Sequence, residues 1–311
     1  MLAEFIFEAA AFDSSHASTI AETPDGLSAA WFGGPREGHP QVRIWLSRKA
    51  GGQWSAPVEV ARGADRRGRP QPCWNPVLHQ VAGGPLLLFY KVGPSPRRWW
   101  GMLATSADGG RTWSTPRRLP RGILGPIKNK PVVLGDGSLL CPSSTEHLGW
   151  RAHLERTADL GQSWEKIGPL NKWRDLDAIQ PCILSHPDGR MQVLCRTRER
   201  VVATCWSSDG GRSWGPMQAT SLPNPDSGID AVSLRDGRAL LAYNPSRESR
   251  TPLCLAVSRD GLSWRNVVTI EDGIGEYSYP ALMQGRDGIL HLTYTWNRRR
   301  IRYVRLSPDE I

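Results

Sequence analysis

An imidazole, amides, an ammonium, a carboxylate and phenols recur at equivalent places in this chain. His16, Asn75, Asn129 with Lys130, Gln180, Asp230, and Tyr277 with Tyr279 stand just before or at the start of an apolar strand pair. Loops after the second strand of each pair add guanidinium and carboxylate groups: Arg36-Glu37-Gly38-His39, Lys91 to Trp100, Ser143 to His147 with Glu146, Arg196 to Arg200 with Arg198, Asn244 to Arg247, and Trp296 to Arg298. Gathered on one surface, groups of these types could hold an anion, move protons and attack an electrophilic carbon. They recur about once every 50 residues, so only a fold that keeps returning to one point can bring them together.

Two repeats predict such a fold. A turn ending in tryptophan occurs five times, best seen in Ser106-Ala-Asp-Gly-Gly-Arg-Thr-Trp113 and Ser207-Ser-Asp-Gly-Gly-Arg-Ser-Trp214, and its tryptophans are Trp54, Trp113, Trp164, Trp214 and Trp264. The Asp can accept backbone N–H groups across the turn, the Gly supplies positive φ, and the Trp is expected to pack between neighbouring sheets, so this turn is scaffolding. Out of phase with it, six strand pairs surround Gly turns: His16–Gly33, Asn75–Lys91, Lys130–Ser144, Gln180–Arg196, Asp230–Ser246 and Tyr279–Trp296. A period near 50 with two inner strands per unit is that of a propeller blade. The last unit has only Arg300–Leu306 for a third strand, and the alternating segment Glu4–Glu8 is the expected donor of its outer strand. The fold expected is all-β, a six-bladed β-propeller of four-stranded antiparallel blades closed by an N-terminal strand, with residues 1–311 as one domain.

Bulk composition narrows the partners. The net charge of +9 comes from 39 basic residues interspersed with 30 acidic ones, and no basic run interleaves with stacking aromatics, so no nucleic-acid partner is expected. The cluster Arg298, Arg299, Arg300, Arg302 and Arg305 reads as a solvated strand edge. No stretch approaches a membrane span, and Met1–Ser15 lacks the basic start and apolar core of a secretory leader, which predicts a cytoplasmic protein without a membrane partner. Six cysteines lie mostly in apolar strand runs without Cys-x-x-Cys spacing and are expected as buried thiols; neither a metal nor a cofactor is expected. Nothing in the sequence sets an oligomeric state.

The Asp-box turns, the six units and the motif Glu276-Tyr-Ser-Tyr-Pro-Ala-Leu282 together resemble the sialidase superfamily of glycosidases over essentially the whole chain. That resemblance implies a triad of carboxylate-binding arginines and a nucleophilic tyrosine. Carried over, Arg250 matches the third arginine, Arg196 or its neighbour Arg198 the second, and Tyr277 the nucleophile. His16 stands where the family places its first arginine. The loop of the family's acid/base is Arg36-Glu-Gly-His-Pro-Gln41, making Glu37 the acid/base and His39 its deputy, with Glu146 as a rival. No glutamate occurs near Asp177-Ala-Ile-Gln180, where the family's tyrosine-activating carboxylate falls, so Asp177, Asp230 or Glu276 would substitute.

The function implied is exo-acting hydrolysis of a terminal acidic sugar, sialic acid or a uronate, from a carbohydrate substrate. Substrate contacts are expected from His16, Arg36, Asn75, Lys130, Glu146, Gln180, Arg196, Arg198, Arg250 and Tyr279. Two other readings stay open: a polysaccharide lyase acting on uronate-linked glycans, and a non-catalytic glycan-binding propeller.

Overall fold

Residues 1–172 and 175–311 are described by the structure, a computed structural model. Six antiparallel sheets follow one another along the chain as the blades of a propeller. Blade 1 comprises Ser14–Thr23, Gly26–Gly34 and Arg43–Ala50, with Gln53–Trp54 and Val58–Ala61 sharing its outer edge. Blade 2 comprises Cys73–Gln80, Leu86–Val92, Trp100–Ser106 and Arg117–Arg118, and blade 3 Val132–Val133, Leu139–Thr145, Arg151–Thr157 and Glu165–Ile167. Blade 4 comprises Ala178–Ser185, Met191–Thr197, Val201–Ser207 and Gln218–Pro223, and blade 5 Asp230–Ser233, Ala239–Tyr243, Leu253–Ser258 and Arg265–Glu271. Blade 6 takes Tyr277–Gln284, Leu290–Trp296 and Arg300–Leu306, and its outer strand is Leu2–Phe5.

The N-terminal segment thus closes the ring as expected, but two residues earlier than Glu4–Glu8. Leu2 pairs with Arg305 and Phe5 with Arg302. Past Phe5 the Ile6 N–H still donates to the Ile301 carbonyl at 3.0 Å, and the Ile6 and Phe7 side chains then turn inward against Trp31 instead of continuing the edge.

The inner strands read as unbroken apolar runs because both of their faces are buried. In Leu86–Tyr90, the side chains of Leu86, Leu88 and Tyr90 pack with Phe32, Ile44 and Leu46 of blade 1, while Leu87 and Phe89 pack with Leu139 and Cys141 of blade 3. The same arrangement recurs around the ring, with one apolar cluster between each pair of neighbouring blades. Each Asp-box tryptophan joins one of them; Trp164 meets Phe89 edge-on with ring centroids 6.2 Å apart, and Trp54 meets Tyr303 edge-on at 5.3 Å.

The Asp boxes hold the corners between third and outer strands. Asp108 accepts from the Ser106 hydroxyl at 2.7 Å, the backbone N–H groups of Arg111 and Thr112 at 3.0 and 2.8 Å, and the Thr112 hydroxyl at 2.6 Å. Asp159, Asp209 and Asp260 repeat the pattern. All six cysteines are unpaired and buried. Among the described residues, no helix is long and apolar enough to cross a membrane.

Two outcomes follow. Phe89→Ala removes a ring wedged between blades 2 and 3 and is expected to lower unfolding free energy by about 3–5 kcal/mol in denaturant titrations. The second concerns acid. Hydrogen bonds, led by the Ser163 hydroxyl for Asp159 and by the Ser263 N–H for Asp260, hold both carboxyls at about 2, below the ordinary carboxylate value. A depressed carboxyl stabilises the fold above its unfolded pKa and loses that contribution as pH falls through the folded value, so stability is expected to drop between about pH 4 and pH 2. Asp159→Asn should flatten that limb in acid titrations followed by tryptophan fluorescence.

Candidate functional site

Four inner strands break their ladder in the same way just after they begin. Register shifts fall at His16/Thr19, opposite Asn75, at Ile179/Cys182 and at Ser278/Ala281. Ala17, Asn75, Gln180 and Tyr279 stand at these bulges with φ of 55°, 36°, 53° and 54°. A non-glycine residue in the left-handed region costs of order 1–3 kcal/mol and persists only where the surroundings hold it. The consequence is a reorientation of the first residues of each blade.

At blade 6 this decides which tyrosine reaches the axis. Simple alternation would put Tyr277 and Tyr279 on one face, but the bulge separates them. Tyr277, expected as the nucleophile, packs in the apolar cluster between blades 5 and 6, and its hydroxyl donates to the Ile274 carbonyl at 3.4 Å. Tyr279, expected only as a substrate contact, lies at the mouth. Its hydroxyl accepts from Arg196 Nη1 at 2.7 Å and from Gln180 Nε2 at 3.4 Å, and its ring centroid is 4.2 Å from that of His16. Gly228 makes room for it: a Cβ there would come within 3.2 Å of the Tyr279 ring and 3.4 Å of Gln180 Oε1.

Around Tyr279 runs an arc of alternating charges. Arg196, 6% exposed, donates to Asp226 from Nε at 2.9 Å and from Nη2, and to Gln180 Oε1 at 3.2 Å. Arg250 donates to the Asp226 carbonyl at 3.3 Å and to Glu276 at 2.9 Å. The same Glu276 oxygen accepts from Arg298 Nε and the Ser278 hydroxyl, both at 2.8 Å, and Arg298 also pairs with Glu37. The guanidiniums of Arg196 and Arg250 each lie 5.7 Å from the Tyr279 ring centre. Arg250 and Arg298 commit two of their five N–H donors apiece to these bonds, leaving donors for a ligand anion.

Arg298 is therefore not part of a solvated strand edge. Arg300 and Arg302 do stay there, against Glu8, Phe5 and Glu271. Arg298 stands apart from them because it follows the second strand of blade 6 with φ 57°, in a loop already counted among those reaching the mouth. Asp226 and Lys128 had no such signal; both come from connections between blades.

His16 completes the wall. Its Nδ1 is 2.9 Å from the Thr295 hydroxyl, and burial, followed by the fields of Arg298, Arg250, Arg196 and Lys128, holds the imidazole well below its ordinary value. These surroundings favour its neutral form. Glu146 shows the reverse: burial raises its carboxyl above the ordinary range, against the opposing pull of Arg196 and Arg198.

Several expected site residues are held by partners within the fold. Asp230, expected as a base, is saturated by Lys130 Nζ at 2.9 Å and by the N–H groups of Ala231 and Leu282 at 2.9 and 2.7 Å; Lys130 is occupied by the same bond and by the Ala231 carbonyl. Asp177 is held by Arg151 at 2.8 Å and Arg198 at 3.2 Å, so the loop before blade 4 consumes its charge. Arg198 is half exposed and, like Arg196, lies over Trp150. His39 accepts the Gln41 N–H within its own loop at 3.2 Å, and Arg36 is exposed beside it. Asn75 is buried at its bulge, its carbonyl 3.4 Å from Lys91 Nζ. Lys128 joins three blades, donating to the Asn129 side chain and the Ile229 carbonyl at 2.8 Å and to the Pro280 carbonyl. Burial pushes its ammonium down to about 8.

Comparison with known proteins agrees with this architecture. A protein of unknown function from Dyadobacter fermentans superposes with a TM-score of 0.81 at 16% identity, covering 98% of this chain and 97% of that one. The Hadza microbial sialidase Hz136 gives 0.80 at 18%, covering 96% of this chain and 66% of its own, and the NanB sialidase of Streptococcus pneumoniae gives 0.79 at 13%, covering 99% and 71%. Identities this low establish a shared fold. No curated protein matches by sequence. The family model for the BNR repeat-like domain matches residues 25–292, which span five Asp-box tryptophans and all six inner strand pairs in whole or part, and the chain belongs to that family.

Proposed function

We propose that this protein is a sialidase-like exo-glycoside hydrolase that releases a terminal acidic sugar, sialic acid or a uronate, from a glycan. The observation that carries the reading is the Tyr279 phenol, held at the axis 2.7 Å from Arg196 Nη1 and ringed by Arg250, Arg298 and neutral His16. Planar guanidiniums suit a sugar carboxylate, and three of them here stand in place of the two expected from sequence.

In this mechanism the Tyr279 oxygen attacks the anomeric carbon while the glycosidic C–O bond breaks. The phenol proton passes to His16 Nε2, which keeps a lone pair when Nδ1–H donates to Thr295. Gln180, the amide nearest the phenol, can orient it but cannot take its proton. The leaving oxygen takes a proton from Glu146, whose raised carboxyl suits a general acid better than Glu37, half exposed and paired with Arg298. Water, deprotonated by the Glu146 carboxylate, then displaces Tyr279, which recovers its proton from His16. Six unpaired thiols suit a reducing, cytoplasmic setting.

The lyase reading draws on one specific observation: an imidazole and a phenol face each other, and the hydroxyl's partners among the described residues are the Arg196 guanidinium and the Gln180 amide with no carboxylate, a pair able to remove and return the proton α to a clamped uronate carboxylate. Its product would be an unsaturated uronate absorbing in the ultraviolet, and a hydrolase gives none.

On a panel of aryl sialosides, aryl uronides and uronate-capped oligosaccharides, Tyr279→Phe is expected to lower turnover by roughly 10³-fold or more while Tyr277→Phe stays within about twofold of wild type. Equal loss in both variants, or none in either, removes the axial phenol from the mechanism. The depressed imidazole adds a pH test. Because His16 binds its proton less readily folded than unfolded, its contribution to stability is present above about pH 6.5 and falls as pH drops toward the folded value. Thermal melts from pH 7 to pH 5 should therefore shift downward, and His16→Gln should make that shift smaller.

A further inference from the structure

Beside the mouth, a second cleft of about 280 Å³ opens between blades 2 and 3. Its walls include Arg97, Trp99, Trp100, Arg118, Arg121 and Lys166, and among the described residues no carboxylate lines it. The Arg118 guanidinium lies 4.6 Å over the Trp100 ring. Unlike the arginines of the mouth, each of which already holds a carboxylate, these four cations make no ion pair among the described residues. Cations gathered without counter-charge around indole faces favour a ligand with anionic groups on a flat, partly apolar ring.

The cleft and the mouth meet at one residue. Thr145 and His147 line the cleft, while Glu146 between them feels Arg196 and Arg198 on the mouth side and Arg97 on the cleft side. A ligand that fills both places must cross Glu146, the group assigned above to protonate the leaving oxygen. The bond to be broken then lies between the two.

We propose that the cleft between blades 2 and 3 is a subsite for an anionic sugar residue, sulfated or carboxylated, next to the residue held in the mouth, so that the preferred ligand is an acidic oligosaccharide and not a lone acidic sugar. The adjacency rests on the mouth being a sugar site, as proposed above; the cleft's own chemistry does not.

The test uses the whole chain and measures binding calorimetrically at low salt with four probes: a chondroitin sulfate tetrasaccharide, an unsulfated hyaluronan tetrasaccharide, methyl glucuronide, and the uncharged cellotetraose. The wild type is expected to bind at least one acidic tetrasaccharide about tenfold or more tighter than methyl glucuronide, with the sulfated and unsulfated probes telling which anion the cleft takes, and to bind cellotetraose far more weakly. The double variant Arg118→Glu/Arg121→Glu, changed at two exposed positions, should erase that advantage and leave methyl glucuronide binding unchanged. Arg250→Gln should weaken both. Tetrasaccharide binding that survives in the double variant overturns the cleft assignment, as does equal affinity for cellotetraose, or equally tight and equally variant-sensitive binding of a single-stranded oligothymidylate. Loss in the double variant alone, with Arg250→Gln without effect on any probe, supports the cleft and overturns the reading of the mouth.

Discussion

Burial of both faces of the second strand of each blade is the constraint on which this molecule rests. A sheet apolar on both sides cannot stand alone in water, so each blade needs a neighbour on either side, and six blades meet that need only by closing into a ring. The six clusters between blades are the direct expression of this demand. Ring closure in turn brings the starts of strands from distant parts of the chain to one axis, and the mouth is a by-product of the packing that stabilises the fold.

Convergence at an axis also concentrates charge. Buried cations require acceptors, and two solutions appear side by side. Lys128 and Lys130 are satisfied by backbone carbonyls and by Asp230, which ties blades 3, 5 and 6 together and leaves them nothing for a ligand. Arg196, Arg250 and Arg298 are satisfied by an arc of carboxylates that uses only part of their donor capacity. The planar, five-donor guanidinium can serve scaffold and ligand at once, whereas a compact ammonium bonded on all sides serves the scaffold alone. This difference separates Lys130 from Arg250, although the sequence presents both simply as basic residues near a strand start.

Period and composition were sufficient to read the architecture: the spacing of Trp54 through Trp264, the six strand pairs and the lone third strand at Arg300–Leu306 all describe the ring that forms. The mouth was legible at the level of segments, and the placement of individual side chains was not. Every loop expected at the mouth that carries Glu37, Glu146, Arg196 or Arg298 bears on the arc or its rim, while the tyrosine that reaches the axis is Tyr279 and not Tyr277, two residues before it. Alternation is a local rule, and a bulge at Ser278/Ala281 breaks it without any marker beyond Pro280, which follows Tyr279 as Pro76 follows Asn75 and Pro181 follows Gln180. Asp230 shows a different limit: a carboxylate's type says what it could do, and only its neighbours, here Lys130 and the N–H groups of Ala231 and Leu282, say how far that capacity is already used.

Closure by Leu2–Phe5 carries a kinetic implication. The ribosome releases this segment long before its partner, Arg300–Leu306, and at about 5–20 residues per second that separation leaves the early strand unmatched for on the order of tens of seconds. During that interval blade 6 does not exist, and blades 1 to 5 form an open arc with apolar flanks in contact with water. Velcro of this kind makes the final docking cooperative and late, and it exposes nascent chains to mispairing with one another until the circle is complete.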